Sequence, residues 1–299
     1  MCGIVGLFLK DESLQSQLGS LVESMLSEMG DRGPDSAGFA IYRDPVDEGE
    51  VKITLSSPDD DYAWDDLAAS MESDLTVSVR VETYWNHAVL AVRGNERAVL
   101  DWLRSQRPEV RVTSAGTDIE IFKEQGTPEE VSDRFGLAEF QGSHALGHTR
   151  MATESAVTTE HSHPFSTGLD LCLVHNGSLS NHNRLRRKLE RHGIAFETDN
   201  DSEVAAGFFT MKLSQGLDLE EALEDGLEEL DGFYTFAIGT KDGFAVLRDS
   251  FACKPAVLAE TDRWVAMASE YRALDHLPGA SQARIWEPEP AVVYTWSRA

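Results

Sequence analysis

The first nine residues constrain this chain most. Cys2-Gly3-Ile4-Val5-Gly6-Leu7-Phe8-Leu9 is an apolar run beginning directly after the initiator Met. It has the length of a short buried strand and falls far short of a membrane span. The pattern then turns helical, with Leu14, Leu18, Leu21, Val22, Met25 and Leu26 predicting a helix over 13–29. Phe39–Tyr42, Ala145–Arg150, Leu169–His175, Phe233–Ile238, Phe244–Arg248, Ala256–Leu258, Trp264–Ala268 and Ala291–Trp296 read as strands. Helices are expected after Ser180, over Asp201–Leu213 and over Leu219–Leu230. Strands at both ends with helices between them predict layered sheets covered by helices.

The stretch 45–141 differs in character. An acidic, proline-containing segment from Pro45 to Asp61 reads as a loop or linker. Strand-like runs (Thr76–Val81, Ala88–Val92) then flank a helical pattern over Glu96–Leu103. Thr127-Pro128-Glu129-Glu130 carries the capping residues of another helix start. The whole is expected to be an α+β insertion within one domain spanning 2–299.

Composition excludes several classes. Of 299 residues, 52 are acidic and 26 basic, a net charge of −26, which repels phosphate backbones and anionic lipid. Nucleic acid and membrane surfaces are therefore not expected partners. With 7 Lys against 19 Arg, the balance fits a protein kept soluble in concentrated salt, so a salt-loving source is expected. The 41% hydrophobic content supplies a sizeable core. Cys2, Cys172 and Cys253 are far apart and form no C-x-x-C pair, so neither a zinc site nor a disulfide framework is expected. His161 and His163 lack the further ligands a metal would need. Without a secretory signal or a spanning segment, the cytoplasm is the expected compartment.

Removal of Met1 would expose Cys2 as a terminal residue, with a thiol beside an amine of pKa ~8. That amine can take the thiol proton, directly or through water, so the nucleophile needs no histidine. Read on position alone, Cys2 is a small buried apolar residue on a first strand.

Other motifs settle the choice by their order: Arg32-Gly33-Pro34-Asp35-Ser36-Ala37-Gly38, His148-Thr149-Arg150-Met151-Ala152-Thr153, His175-Asn176-Gly177 and Asp201-Ser202-Glu203. Arg248-Asp249 followed by Lys254-Pro255, and Ala268-Ser269-Glu270, complete the series. With Cys2-Gly3-Ile4-Val5-Gly6 at its head, it resembles the class II glutamine amidotransferases, whose glutaminase domain is an N-terminal-nucleophile hydrolase. The resemblance covers nearly the whole chain outside 45–141. It implies an α+β fold, a four-layer αββα sandwich, and hydrolysis of L-glutamine through a thioester on Cys2. By the same resemblance the Asn176 amide and the Gly177 N–H form the oxyanion hole. Arg150 holds the substrate carboxylate, Asp201 its ammonium, Thr153 lends a hydroxyl, and Arg32 lies near the nucleophile. Without that context, Asn176-Gly177 reads as a hairpin turn, Arg150 as a strand-end charge and Asp201 as a helix N-terminal acid. The basic run from Arg184 to Arg191 reads as a solvated helix face.

The wording of two motifs narrows the resemblance further. Met151 and Glu154 stand where sugar-isomerase relatives carry Trp and His. Ser250-Phe251-Ala252-Cys253 separates Arg248-Asp249 from Lys254-Pro255 without the glycine of the phosphoribosyltransferase branch. The result is similar to glutamate-synthase-type subunits, including that of N-methylglutamate synthase. This implies a separate ammonia-using synthase subunit carrying flavin and an iron–sulfur cluster, with no cofactor in this chain. The chain's end at Ala299 agrees with that expectation. A lone amidase for another small amide, and a non-catalytic glutamine-binding regulatory subunit, remain as alternatives.

Overall fold

The computed structural model describes residues 2–152 and 157–298. In chain order these form β1 (Gly3–Leu9), α1 (Leu18–Ser27), β2 (Ser36–Tyr42), β3 (Glu50–Ser56), α2 (Trp64–Leu75), β4 (Ser78–Tyr84), β5 (His87–Arg93), α3 (Glu96–Gln106) and β6 (Arg111–Gly116). There follow β7 (Ile119–Gln125), α4 (Pro128–Phe135), β8 (His144–Arg150), β9 (Leu171–Leu179), α5 (His182–Glu190), α6 (Asp201–Ser214) and α7 (Leu219–Glu229). The chain closes with β10 (Gly232–Thr240), β11 (Gly243–Arg248), β12 (Val257–Glu260), β13 (Trp264–Ala268), β14 (Arg284–Trp286) and β15 (Val293–Ser297).

Alternation along the strands decides the layering. Among the described residues, one sheet runs β14-β12-β13-β1-β8-β2-β7 and a second runs β15-β11-β10-β9. Ile4 and Phe8 of β1 join Cys172, Val174, Ala237 and Phe244 in a core between the two sheets. Val5, Leu7 and Leu9 face the other way, onto Val22, Met25 and Leu26 of α1. On the far side of the second sheet, Leu173, Phe236 and Ile238 pack against Val204, Phe208 and Leu223 of α6 and α7. The order of layers is helix, sheet, sheet, helix, as expected. Each fully buried aliphatic side chain contributes roughly 1.5–3 kcal/mol, so central strands such as β1, buried along its whole length, anchor the sandwich. Gly6 lets the sheets approach, since a Cβ there would meet the Phe244 ring at 2.7–2.8 Å.

Local differences from expectation have local causes. The helix expected over 13–29 starts as a 3-10 turn, Glu12–Gln17, whose cap is the Asp11 side chain. At Gln17 φ is −111°, and regular α-helix begins only at Leu18. At α4 the expected capping box is present: Thr127 Oγ1 accepts the Glu130 N–H, and Glu130 Oε2 accepts the Thr127 N–H at 2.9 Å.

The stretch read as an insertion, 45–141, divides in two. Residues 50–116 build their own sheet, β4-β5-β3-β6, with Leu67 and Met71 of α2 and Val99, Trp102 and Leu103 of α3 packed on Ile53, Leu55, Leu90 and Val92. The segment expected to be a loop supplies β3, one of that sheet's two central strands. From Ile119 onward the chain belongs to the main body: β7 pairs with β2, Phe39 opposite Phe122, and Phe135 of α4 enters the α1 core. A buried ion cluster joins the two parts, with Glu120 accepting from Lys52 Nζ at 3.0 Å and from Arg43 Nε at 2.8 Å. Asp170 fastens the crossing point by accepting the N–H groups of Thr117 and Asp118 at 2.8 and 2.9 Å. Among the described residues no helix is long and apolar enough to cross a membrane.

Candidate active site

Cys2 stands at the open end of β1, half-buried. The register places Gly3 opposite Thr149, which leaves Cys2 beside Arg150, the next residue of β8. Its backbone is held from two sides. Arg32 Nε donates to the Cys2 carbonyl at 3.0 Å, and Asn176 Nδ2 donates to the same oxygen at 3.2 Å. One residue further on, Ile4 exchanges bonds with Ser269: its N–H donates to Ser269 Oγ and its carbonyl accepts the Ser269 N–H, both at 2.9 Å. The first strand is thus fixed in position up to Cys2.

Asn176 and Gly177 lie inside β9, opposite Thr235 and Tyr234 of β10. The isolated Asn-Gly pair would predict a hairpin turn, but a full ladder of β10 partners extends it as strand. Gly177 has φ +155°, and a Cβ there would run into the Phe233 carbonyl and approach His175 Nε2 to 2.7 Å. Only glycine fits. The buried Asn176 reaches across from the second sheet to Cys2 in the first, so Asn176 and Gly177 sit where the two sheets meet at Cys2.

Arg150 ends β8 and is buried. Its carbonyl accepts the Asp35 N–H at 3.1 Å, while Asp35 Oδ2 accepts the Ala152 N–H at 2.7 Å, so the Arg32–Asp35 motif shapes the backbone around it. Asp201 opens α6, behind the Asn200 cap. Its Oδ2 accepts the Leu179 N–H at 2.8 Å, which joins the start of α6 to the end of β9. Arg32, expected near Cys2, both holds the Cys2 carbonyl and pairs with Glu270 at 2.8 Å. That guanidinium holds the Glu270 carboxyl below its ordinary range. Thr153 lies outside the described residues. Ser269 and Glu270, noticed in the sequence only as part of a motif, emerge as supports of the site.

Behind these residues lies a layer of buried imidazoles. His148 Nε2 donates to the His175 carbonyl at 3.1 Å, and its ring lies tilted by 37° against that of His163 with centroids 3.9 Å apart. His175 Nδ1 meets Ser202 Oγ at 2.8 Å, and Ser202 Oγ reaches Asp201 Oδ1 at 3.4 Å. Burial pushes His148 down to about 3 and lowers His163 and His175 as well. The layer is neutral at pH 7 and adds no positive charge beside Cys2. His161 and His163 do not converge: His161 turns to Thr158 and Asp199. Burial raises the Cys172 thiol to about 12, so it is a core residue, while Cys253 is exposed.

In fold, the chain is similar to glutamine phosphoribosylpyrophosphate amidotransferase from B. subtilis. The TM-score is 0.62 at 21% identity, with 99% of this chain and 47% of that one covered. Four layers with a cysteine at the head of a central strand define an N-terminal-nucleophile hydrolase architecture. Residues 148–276 match the family model of a glutamine amidotransferase domain. The glutamine amidotransferase-like protein GlxB of Rhizobium meliloti (strain 1021) is 57% identical over 297 residues, covering 99% of this chain and 98% of that protein. An amidophosphoribosyltransferase of Synechocystis sp. (strain ATCC 27184 / PCC 6803 / Kazusa) is 34% identical over 72% of this chain but only 42% of its own length. The chain belongs to the class II glutamine amidotransferases, enzymes that act on amide bonds.

Proposed function

We propose that this chain hydrolyses L-glutamine through Cys2 and passes the ammonia to a separate synthase subunit of the glutamate-synthase or N-methylglutamate-synthase type. The observation that carries the reading is the Asn176 amide on the Cys2 carbonyl at 3.2 Å, because it sets a preorganised donor beside the nucleophile. With Met1 removed, the Cys2 amine accepts the thiol proton and the thiolate attacks the carboxamide carbon. Negative charge gathers on the former carbonyl oxygen, where Asn176 Nδ2 and the Gly177 N–H donate to it. Collapse expels ammonia, which leaves with the proton, and forms a thioester. Water then cleaves the thioester, releasing glutamate and restoring the thiol. Arg150 grips the substrate carboxylate as a bidentate donor, Asp201 accepts from its ammonium, and Thr153 adds a hydroxyl. Arg32 acts on the nucleophile's backbone.

The choice of partner rests on Met151, Glu154 and the interval Ser250–Cys253. That interval forms a loop beside the oxyanion strands: Asp249 accepts the Tyr234, Phe251 and Ala252 N–H groups. It leaves Phe251 79% exposed, an apolar contact for an acceptor subunit. The flavin and iron–sulfur chemistry belongs to that subunit, the reaction takes place in the cytoplasm, and the acidic surface suits a salt-rich one. The test is product release: glutamate and ammonia in equal amounts from glutamine, with none from asparagine, support the reading. Equal rates with both amides, or no release with or without a synthase subunit, overturn it.

A further inference from the structure

A second concave site lies away from Cys2, between the 50–116 sheet and the main body. It is a cleft of about 680 Å³, within the range of small-molecule sites. None of Cys2, Arg150, Asn176 or Asp201 lines it. One wall comes from α3 and β6, the other from residues 193–198 and α6, and the floor from Phe165 to Leu171.

The walls are fixed by bonds among their own residues. Glu203 accepts the Glu197 and Thr198 N–H groups at 2.8 and 2.9 Å, and the Thr198 hydroxyl at 2.7 Å. Lys123 Nζ, fully buried, donates to the carbonyls of Ser162 and Pro164 at 2.9 and 3.3 Å. Ala115 bridges Leu169 at the bottom. The shape therefore exists before any ligand arrives, which lowers the ordering cost of binding.

Charges of opposite sign line the cleft. Arg104, which also pairs with Asp101 one turn back on α3 at 3.7 Å, and Arg111 stand on one wall; Glu197 stands on the other, and Glu160 lines the cleft as well. Among the described residues no ion pair joins these arginines to these glutamates across the gap, although they lie near enough to influence each other's ionisation. Glu96, on the cationic wall, sits at the far end of α3 from Arg104. Between the walls the surface is apolar: Leu100, Val112, Phe165, Ile194 and Phe196.

We propose that this cleft binds a zwitterion with an apolar body, of amino-acid to dipeptide size. Its carboxylate lies on Arg104 and Arg111, its ammonium on Glu160 and Glu197, and its side chain on Phe165 and Phe196. The arrangement rejects a plain carboxylic acid, which leaves the glutamates unanswered, and an amine amide, which leaves the arginines so.

The full chain is titrated calorimetrically with L-phenylalanine and L-leucyl-L-leucine up to about 10 mM. Cys2→Ala protein saturated with glutamine is used, so that the first site is filled without turnover. Saturable binding is expected for at least one probe. It should weaken by about tenfold or more in Arg111→Ala and in Glu197→Gln, and recover partly in Arg111→Lys. 3-Phenylpropionate and phenylalaninamide, each missing one charge, should bind about tenfold more weakly than phenylalanine. No saturable binding of either probe overturns the proposal, as does binding indifferent to Arg111→Ala or equal for the single-charge analogues. A chain that fails to hydrolyse glutamine gives the same titration, with unsaturated protein as a second sample, so the two readings fail separately.

Discussion

Acidification should weaken this fold well before its carboxylates titrate. His87, His144 and His148 are buried and pushed down to about 3, in each case chiefly by burial. His144 shows the cause: its ring stacks on Tyr42 at 4.0 Å and its Nε2 donates to the Thr240 carbonyl at 2.8 Å. Neither contact leaves room for water around a cation. Because the folded pKa lies below the unfolded value of 6.5, the unfolded chain binds the proton first. Stability is full above about 6.5 and falls as the pH drops toward 3. Between about pH 7.5 and about pH 5.5 each such group costs about 1.4 kcal/mol, so the three together cost about 4 kcal/mol. His163 and His175 are shifted the same way and add to the loss. Urea unfolding at the two pH values, in buffer salty enough to screen the surface charge, measures the difference. His144→Gln should flatten the slope by about one third of that amount. Stability that is flat or rises on acidification would refute the buried neutral imidazoles.

Three further changes probe other parts of the molecule. Asp170→Ala removes the acceptor for the Thr117, Asp118 and Ile119 N–H groups; leaving them unmet should cost at least about 3 kcal/mol in chemical denaturation. A loss below about 1 kcal/mol would mean that water replaces the carboxylate there. Arg150→Ala should raise KM for glutamine by about two orders of magnitude or more, with a smaller change in kcat; an unchanged KM would remove Arg150 from the pocket. Asn176→Ala should lower kcat by about a hundredfold, the usual consequence of losing one oxyanion donor, with little effect on glutamine binding. Equal losses in kcat and binding would argue for a merely structural amide.

What the sequence discloses follows from how local each signal is. β1 and β13 are short, apolar and buried, so composition finds them. Thr127-Pro128-Glu130 announces α4 because capping needs only neighbours in the chain. β3 escapes notice because Glu50 and Lys52 interrupt it, and their burial depends on Arg80 and Glu120 from distant strands. The boundary at 116 is hidden likewise: Ile119–Gln125 resembles the strands before it, and only pairing with β2 assigns it to the main sheet. Asn176-Gly177 carries a turn signal that the β10 ladder overrides. The motif order points to Cys2, Arg150, Asn176 and Asp201. Ser269 holds the first strand from 265 positions away, and Glu270 holds Arg32 from 238 positions away; no local pattern encodes either.

The central claim is that Cys2 is a terminal nucleophile seated in a glutamine site. The most direct measurement is an intact-mass spectrum after exposure to an electrophilic glutamine analogue in high-salt buffer, followed by fragmentation to locate the adduct. The account predicts loss of Met1 and one adduct on Cys2, blocked by excess glutamine and absent in Cys2→Ala. A chain that retains Met1 and gains no adduct, or an adduct carried by Cys253 while Cys2 stays free, would contradict it.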